Sequence, residues 1–233
     1  MRLPRMLIPI VFILCLLVWP ALVHADFQAG KDAYDQGDYA TAFKEMRPLA
    51  EQGDAAAQYN LGLMYEKGQG VPQDDGAAAR WYRLAAEQGL QQAQTDLGVL
   101  YDKGQGVPQD HMQAGDWWRK AADQGYPFAQ AQLGVLYHLG QGVPKDDARA
   151  ADWYRKAANQ GNAKAKALLG RLYQFGWGVP QDEVQAHMWF NLAAAQGVEE
   201  ARDWREKIAN KITPAQLVEA QRLAREWLAQ HQK

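Results

Sequence analysis

The side chains that most enzymes use for nucleophilic chemistry are scarce in this sequence. Its 233 residues contain no serine, and the only cysteine is Cys15, near the N-terminus. The only threonines are Thr41, Thr95 and Thr213. Serine hydrolases, cysteine enzymes, thiolate zinc sites and disulfide scaffolds all need residues that are missing here. These classes of protein are therefore excluded.

The remaining reactive groups, histidines and carboxylates, show no spacing typical of a catalytic or metal site. Acid pairs such as Asp74-Asp75 begin predicted helices, where the positive end of the helix dipole already accounts for them. The histidines without paired metal-ligand spacing are His111, His138, His187 and His231. The sequence therefore predicts a protein that is not an enzyme, with no catalytic residue, no cofactor and no metal. A hydrolase that uses only Asp, Glu and His is the third-ranked alternative.

The charge balance argues against a nucleic-acid partner. Lysine and arginine total 25 and aspartate and glutamate total 27, which gives a formal net charge of −2. A protein that binds phosphate backbones needs a basic surface instead.

The N-terminus has the three-part layout of a secretory signal peptide. Arg2 and Arg5 precede an apolar run over residues 6–19, and Val23-His24-Ala25 ends with a small residue. The run is shorter than the ~20 residues that a bilayer-spanning helix needs. We therefore predict a signal peptide over residues 1–25, cleaved after Ala25, and a periplasmic or secreted protein with no membrane span after cleavage. The alternative is an uncleaved anchor that extends to Val23.

Beyond this segment, four motifs recur with a period of 36 residues. Leu-Gly-x-x-Tyr starts at Leu61, Leu97, Leu133 and Leu169. Gly-x-Gly-Val-Pro starts at Gly68, Gly104, Gly140 and Gly176. An aromatic pair follows at Trp81-Tyr82, Trp117-Trp118, Trp153-Tyr154 and Trp189-Phe190. Each repeat closes with Ala-Ala-x-Gln-Gly or a close variant, ending at Gly89, Gly125, Gly161 and Gly197. A period in this range indicates a stacked repeat architecture.

Each repeat is predicted to contain two helices, A and B, separated by the glycine-rich loop. Both helices carry an apolar stripe at helical spacing, which a single pair cannot bury but stacked pairs can. The predicted fold is all-α: a right-handed α-solenoid of stacked antiparallel helix pairs, with about twelve helices. Asp110 with Gln113, and Asp182 with Gln185, are expected to form capping boxes. The predicted divisions are a short capping unit over 26–53, repeats 1 to 4 over 54–89, 90–125, 126–161 and 162–197, and C-terminal capping helices over 198–233.

This series of motifs closely resembles the Sel-1-like repeat (SLR) family, relatives of the tetratricopeptide repeat. The resemblance covers residues 54–197, and residues 27–53 resemble a shorter tetratricopeptide unit. Members of the family are typically adaptors or scaffolds, often in the bacterial envelope. Some disulfide-rich members are described as binding or slowly cleaving penicillin-type antibiotics, but this sequence lacks the cysteines of that subgroup.

The resemblance to tetratricopeptide proteins implies that the A helices line a concave groove and that variable positions on these helices contact a partner. The groove candidates are Tyr59, Asn60, Asp96, Phe128, Gln132, His138, Lys164, Arg171 and Phe175. Apolar residues edged by cations in repeats 3 and 4 would suit a peptide that carries a carboxylate. The alternative is that Leu139, Leu168 and Phe175 simply pack on neighbouring helices.

Trp177 is a further candidate, because it replaces a glutamine that the other three loops share. It is expected either to be exposed and to anchor a partner, or to fold back on the terminal helices. The leading hypothesis is therefore an adaptor for a protein or peptide in the bacterial envelope. A glycan-binding module for cell-wall or exopolysaccharide chains is the second, and it predicts exposed aromatics, Trp177 first, beside Asn and Asp.

Overall fold

The computed structural model describes residues 27–231, which form two compact bodies divided between Leu90 and Gln91. We call residues 27–90 the N-terminal body and residues 91–231 the C-terminal body. Within these residues the chain forms twelve helices and no strand, which confirms the predicted all-α class. The helices are α1 (27–35), α2 (Tyr39–Glu51), α3 (Ala55–Lys67), α4 (Asp75–Glu87), α5 (Gln91–Lys103), α6 (His111–Asp123), α7 (Pro127–Leu139), α8 (Asp147–Asn159), α9 (Ala163–Phe175), α10 (Glu183–Ala194), α11 (Glu199–Ala209) and α12 (Pro214–His231). The predicted signal peptide and its cleavage site after Ala25 lie outside the described residues.

Helices that are consecutive in the chain pack against each other inside each body. In the N-terminal body α2 packs on α3 and α3 on α4, around the buried side chains of Met46, Leu49, Leu61 and Met64. In the C-terminal body each helix from α5 to α10 packs on the next, and α11 and α12 both pack on α10. The burial of these apolar faces against neighbours is the physical basis of a stacked repeat.

A glycine on each A helix admits the second aromatic residue of the following B helix. A Cβ atom built on Gly98 would lie 2.4 Å from Nε1 of Trp118, and one on Gly134 would lie 2.4 Å from Cε1 of Tyr154. Real Cβ atoms essentially never approach other atoms this closely. Both aromatic side chains are buried. The Leu-Gly-x-x-Tyr glycine is therefore required by a close side-chain approach.

An aspartate is the N-cap of the B helix in every repeat, and its carboxylate and its backbone N–H bind different partners. The Asp110 carboxylate accepts hydrogen bonds from the backbone N–H groups of Met112 and Gln113, at 2.9 and 3.0 Å. The Asp110 N–H donates to the carbonyl of Tyr101, at 2.9 Å, so it is not free to bind the Gln113 side chain. That side chain donates to the Asp110 carboxylate instead, at 3.3 Å. The predicted N-cap is confirmed, but the predicted reciprocal capping box does not form here.

The second glycine of the loop approaches the backbone of the preceding repeat in repeats 3 and 4. A Cβ atom on Gly142 would lie 2.5 Å from the backbone carbon of His111, at the start of α6. A Cβ atom on Gly178 would lie 2.1 Å from the backbone carbon of Asp147, at the start of α8. Both glycines also have a positive φ, of 68° and 67°, which side chains disfavour. Consecutive repeats of the C-terminal body therefore meet partly through backbone atoms.

Glutamine pairs, each with one buried and one exposed member, connect the helices of three repeats, and Lys166 takes the place of the buried glutamine in the fourth. Gln160 Nε2 donates to Oε1 of Gln130, at 2.8 Å. At the next repeat Lys166 donates to Oε1 of Gln196, also at 2.8 Å, and its ammonium lies 4.5 Å from the centre of a Trp227 ring. Lys166 is only 2% exposed, and burial lowers the pKa of its ammonium group. The other two glutamine pairs are Gln88–Gln58 and Gln124–Gln94.

Candidate functional site

Two helices of the C-terminal body carry stripes of side chains in the same register. The spacing of four, three and four residues places each stripe on one face of its helix. The stripes are Phe128, Gln132, Val135 and Leu139 on α7, and Lys164, Leu168, Arg171 and Phe175 on α9. Three of their large apolar side chains remain exposed, namely Phe128 (45%), Leu139 (55%) and Phe175 (47%). We call these eight residues the A-helix surface.

A pocket of about 300 Å³ opens where the two stripes meet. Most of its lining is apolar, while four of its residues carry a polar or charged group. The lining residues are Val135, His138, Leu139, Tyr154, Lys164, Leu168, Arg171, Leu172 and Trp177. The structure thus brings together four of the residues predicted from the sequence, which are His138, Lys164, Arg171 and Trp177. We call this cavity the α7–α9 pocket.

Trp177 forms one wall of the α7–α9 pocket and contacts neighbouring rings. Its ring stacks on Phe175 with 4.6 Å between the ring centres, and it lies 5.1 Å from the imidazole of His138. The side chain is half-buried and packs against the core of the C-terminal body. Trp177 therefore lies between α7 and α9, beside the predicted groove residues.

The two cations at the α7–α9 pocket have no acidic partner in the part of the chain that the structure describes. Neither Lys164 nor Arg171 forms a salt bridge with any carboxylate in residues 27–231. The Arg171 guanidinium instead lies over aromatic rings, 5.7 Å from the centre of Trp177 and 5.2 Å from that of Trp204. Such contacts hold the cation in place without neutralising its charge. Both charges therefore remain available to an anion.

His138 is held by an acid on the next helix. Its Nδ1 lies 2.6 Å from Oδ1 of Asp147, which begins α8. Repeat 2 has the same pair with the two residue types exchanged, because Nδ1 of His111 lies 2.9 Å from Oδ1 of Asp102. In both repeats the pair joins the end of helix A to the start of helix B. A structural role therefore accounts for this nitrogen of His138.

The hydroxyl of Tyr154 is buried and has no hydrogen-bond partner among the described residues 27–231. Tyr82 has the same place in repeat 1, and its hydroxyl donates to Oε2 of Glu66 at 2.6 Å. The residue at the Glu66 position in repeat 3 is His138, which binds Asp147 instead. Burial raises the pKa of Tyr154 well above its ordinary value; the negative charge of Asp147 adds to this shift, and the positive charge of Arg171 opposes it. The hydroxyl therefore stays protonated at neutral pH.

The other predicted groove residues lie outside the α7–α9 pocket. Tyr59 and Asn60 belong to α3 in the N-terminal body, where the Tyr59 ring contacts Tyr82 and the Asn60 amide donates to the carbonyl of Ala56, at 2.8 Å. Asp96 lies on α5. Burial raises the pKa of Tyr126, and the negative charge of Asp96 raises it further. Gln132 and Phe128 lie on the α7 stripe, about one and about two turns before Val135, the first lining residue of the pocket on that helix.

The sequence pattern gave Tyr154 only as part of a recurring aromatic pair and did not indicate that its hydroxyl lacks a partner within residues 27–231. The sequence did contain one signal: repeat 3 has His138 where repeat 1 has Glu66, the residue that accepts the hydrogen bond of Tyr82. This difference is informative only once the structure shows that the Glu66 and Tyr82 side chains are in contact. Tyr154 is indeed only 1% exposed, so its packing role and its place in the pocket lining coexist.

Residues 27–231 contain neither a metal-binding cluster nor a membrane-spanning helix. No three His, Cys, Asp or Glu side chains come together in a way that could bind a metal ion there. Among those residues, no helix combines the length and the apolar character that crossing a membrane requires.

The stacked helix pairs and their fixed glycine, aromatic and aspartate positions define a helical-repeat protein of the α-solenoid class. Four consecutive segments match the Sel1 repeat, at residues 55–90, 91–126, 127–162 and 163–198. These segments cover more than half of the sequence, and the chain therefore belongs to the Sel1 repeat family.

Solved structures support the same assignment. A protective antigen of uropathogenic Escherichia coli strains, described as displaying an SLR fold, is 35% identical with a TM-score of 0.78, over 89% of this chain and 46% of that chain. A Sel1 repeat protein from Oxalobacter formigenes is also 35% identical, with a TM-score of 0.72, over 77% of this chain and 74% of that one. The predicted solenoid fold and the family resemblance are confirmed.

A curated relative matches over a shorter segment. DAP3-binding cell death enhancer 1 of Rattus norvegicus is 42% identical over 45 residues, which are 19% of this chain and 9% of that protein. The chain thus matches less than half of the antigen and about a tenth of the curated relative. These comparisons support a repeat scaffold of the kind that mediates protein–protein interaction.

Proposed function

We propose that this protein is a non-enzymatic adaptor of the bacterial envelope, which binds a protein or peptide partner on its A helices. The observation that carries the proposal is the A-helix surface, where Phe128, Leu139 and Phe175 stay exposed beside two cations that lack an acidic partner within residues 27–231. Exposed apolar side chains grouped with charges are typical of interaction sites. The rigid packing beneath them presents a preformed surface, which lowers the ordering cost of binding.

The non-enzymatic part of the proposal rests on the chemistry of the available side chains. The sequence has no serine, and its one cysteine lies within the predicted signal peptide. The ring nitrogen of His138 that faces Asp147 is engaged in a helix-to-helix contact. The α7–α9 pocket contains cations and a hydroxyl but no carboxylate to act as a general base.

The envelope location rests on the N-terminal sequence. A basic start, a short apolar run and Val23-His24-Ala25 are together typical of an export signal. Fusion of residues 1–30 to an alkaline phosphatase that is active only outside the cytoplasm tests this location. Activity that is lost when the apolar run is interrupted by charged residues supports export, and an inactive fusion would contradict it.

The partner surface is tested by capture from envelope extract, with identification of the captured protein by mass spectrometry and reconstitution from purified components. The test variant replaces Phe128, Arg171 and Phe175 with alanine. A matched control replaces one arginine and two exposed apolar residues elsewhere on the C-terminal body, namely Met112, Arg202 and Val218. Both variants should keep the helical circular dichroism spectrum of the wild type.

A partner that the wild type and the control bind, and that the test variant loses, supports the proposal. A partner that all three proteins bind equally would place the interaction on another surface. Retention on insoluble wall material with no protein partner would favour the glycan hypothesis instead. That hypothesis requires Asn and Asp beside Trp177, and the lining of the α7–α9 pocket includes neither residue type.

A further inference from the structure

Repeat 4 differs from the other three repeats at one buried polar position on its A helix, which holds Lys166. Repeats 1 to 3 carry a buried glutamine at this position, namely Gln58, Gln94 and Gln130. In repeat 3 both polar atoms of this amide are satisfied, because Gln130 donates to the carbonyl of Ala122 at 3.2 Å and accepts from Gln160 at 2.8 Å. A neutral amide therefore suffices for the fold, and the cation of Lys166 needs another explanation.

The ammonium group of Lys166 is buried without an opposite charge. Only 2% of the residue is exposed, and it forms no salt bridge with any carboxylate of residues 27–231. The ammonium group donates to Oε1 of Gln196 at 2.8 Å and lies 4.5 Å from the centre of a Trp227 ring. Both of these partners are neutral, so they hold the cation without cancelling its charge.

The nearby end of α8 does not supply the missing negative charge. Helix C-termini attract cations through their free carbonyl groups. The last carbonyls of α8, at Ala157 and Ala158, already accept the backbone N–H groups of residues 160–162, and the Lys166 ammonium donates to neither. Burial lowers the pKa of this ammonium group. A buried charge without a counter-ion is unfavourable, so this position favours a bound anion.

A cavity of about 360 Å³ opens beside Lys166, and we call it the Lys166 pocket. Its lining includes two amide residues, Asn159 at the end of α8 and Gln196 in the turn after α10. Trp227 and His231 of α12 form an aromatic wall, with 4.2 Å between the centres of their stacked rings. None of the described residues that line this pocket is acidic. An anion there would meet a cation with no opposing carboxylate, and it would join the fourth repeat to α12.

The Lys166 ammonium and the Gln196 amide are placed to bind one anion together. Because an ammonium group can only donate, Oε1 of Gln196 must face it, and Nε2 of the same amide remains a donor. This Nε2 has no hydrogen-bond partner within residues 27–231. The oxygen and nitrogen of one amide are about 2.3 Å apart, so Nε2 lies within about 5 Å of the ammonium nitrogen. Two oxygen atoms of one small oxyanion can reach both donors.

A tetrahedral oxyanion suits this arrangement better than a carboxylate does. Lys166, Gln196 and Asn159 come from three separate segments of the chain. A phosphate group presents oxygen atoms in several directions, whereas the two oxygens of a carboxylate lie in one plane.

We propose that the Lys166 pocket binds a small tetrahedral oxyanion of the phosphate type, either free or as the end group of a small molecule, with its charge on Lys166 and its oxygen atoms also bound by Gln196. None of the eight residues of the A-helix surface lines this pocket. The inference is therefore independent of the proposed adaptor function.

Isothermal titration calorimetry of the full protein with inorganic phosphate, at pH 7 and constant ionic strength, tests this site. Lys166→Gln restores the residue type of the other repeats, and Gln196→Glu places a carboxylate beside the ammonium group as an internal counter-ion. Their matched controls are Lys207→Gln, at an exposed lysine on α11, and Gln105→Glu, at an exposed glutamine in the loop of repeat 2. The indole N–H resonance of Trp227, assigned with Trp227→Phe, reports whether the bound ion lies in this pocket. Glycerol 3-phosphate and acetate are the comparison ligands.

We expect one phosphate ion to bind the wild type and both controls and to shift the Trp227 resonance. Each test variant should weaken binding by about tenfold or more, which is the usual contribution of a hydrogen bond to a charged group. Phosphate in place of chloride should raise the urea midpoint of the wild type by more than that of Lys166→Gln. Acetate should bind more weakly than phosphate. Tighter binding of glycerol 3-phosphate would identify the end group of a small molecule as the ligand, and weaker binding would identify the free ion.

Four outcomes would overturn the inference. Absence of phosphate binding would refute it directly, and binding that Lys166→Gln retains would place the ion elsewhere. Equal stabilisation of the wild type and Lys166→Gln would show only the general exclusion of phosphate from protein surfaces. Acetate that binds as tightly as phosphate would contradict the tetrahedral ligand. The capture experiment on the Phe128, Arg171 and Phe175 variant tests the adaptor function separately from all of these.

Discussion

Replacing Gly98 with alanine should destabilise the protein, although alanine is the better helix former. The new methyl group would lie 2.4 Å from Nε1, 2.6 Å from Cδ1 and 3.0 Å from Cε2 of Trp118. The first of these contacts is roughly 1 Å inside the ordinary separation of about 3.5 Å between non-bonded atoms. The ring cannot move away freely, because it is buried and its N–H is bound to the Thr95 carbonyl at 3.0 Å.

Three effects set the size of the change. Overpacking at a close contact costs about 1–3 kcal/mol. Displacing the Trp118 ring weakens its hydrogen bond, which contributes about 1 kcal/mol. Alanine in place of glycine inside a helix stabilises the helix by about 1 kcal/mol, which offsets part of this cost. The sum predicts that Gly98→Ala lowers the free energy of unfolding by about 2 kcal/mol.

Urea denaturation followed by circular dichroism and tryptophan fluorescence measures this change. Gly115→Ala is the matched control, because Gly115 is also buried inside a helix but its Cβ atom would meet only Cδ1 of Leu136, at 3.1 Å. The end of a leucine side chain can move by a few tenths of an ångström, so the control should be neutral or stabilising. Trp118→Leu combined with Gly98→Ala should cost less than the sum of the two single changes.

The reasoning fails if Gly98→Ala is as stable as the wild type or indistinguishable from Gly115→Ala. Such a result would mean that the helices separate without cost and that the glycine is not a contact requirement. The reasoning would also be refuted if the free-energy changes of the two single variants summed to that of the double variant. Such additivity would show that the methyl group and the indole do not interact.

Three further predictions follow from buried polar groups. Tyr154→Phe should leave the free energy of unfolding unchanged or raise it by up to about 1 kcal/mol. Tyr82→Phe should lower it by about 1 kcal/mol, because this change breaks the hydrogen bond to Glu66. Urea denaturation measures both changes. Lys166→Gln should raise the free energy of unfolding at pH 7 by about 1 kcal/mol, because it replaces a buried cation with the amide that the other repeats use at this place. An unchanged or lower urea midpoint would contradict this prediction. Burial, with the charge of Arg205, lowers the pKa of His187 below 6.5, so the unfolded chain binds a proton first and stability falls as the pH drops below that value. His187→Leu should lose this part of the acid sensitivity, and parallel slopes for both proteins between pH 7 and pH 5 would refute the assignment.

The sequence was sufficient to predict the helices because their boundaries depend on local chemistry that recurs in every repeat. Asp74, Asp110, Asp146 and Asp182 each accept a backbone N–H at the start of a B helix, as their positions predicted. The end of the chain followed similar rules, since α12 begins at Pro214 directly after Thr213. Identity across four repeats also separated the packing positions from the variable ones.

The details of the candidate site could not be predicted because they depend on which side chains face each other across a loop. The His138–Asp147 pair joins residues nine positions apart, and only the loop geometry brings their atoms to 2.6 Å. The capping box failed for a related reason: the Asp110 N–H was already bound to Tyr101, a partner that belongs to the preceding helix. The unpartnered hydroxyl of Tyr154 follows from the same kind of non-local contact, because its acceptor is removed by a substitution on another helix.

The backbone contacts of Gly142 and Gly178 have a consequence for how such a chain can change over time. Because each glycine meets main-chain atoms of the preceding repeat, this contact does not depend on which side chains that repeat carries at those positions. This part of the junction therefore places no demand on the side chains of a repeat that is duplicated or exchanged. The residues that contact a partner can diversify independently in each copy, while this backbone contact between copies stays the same.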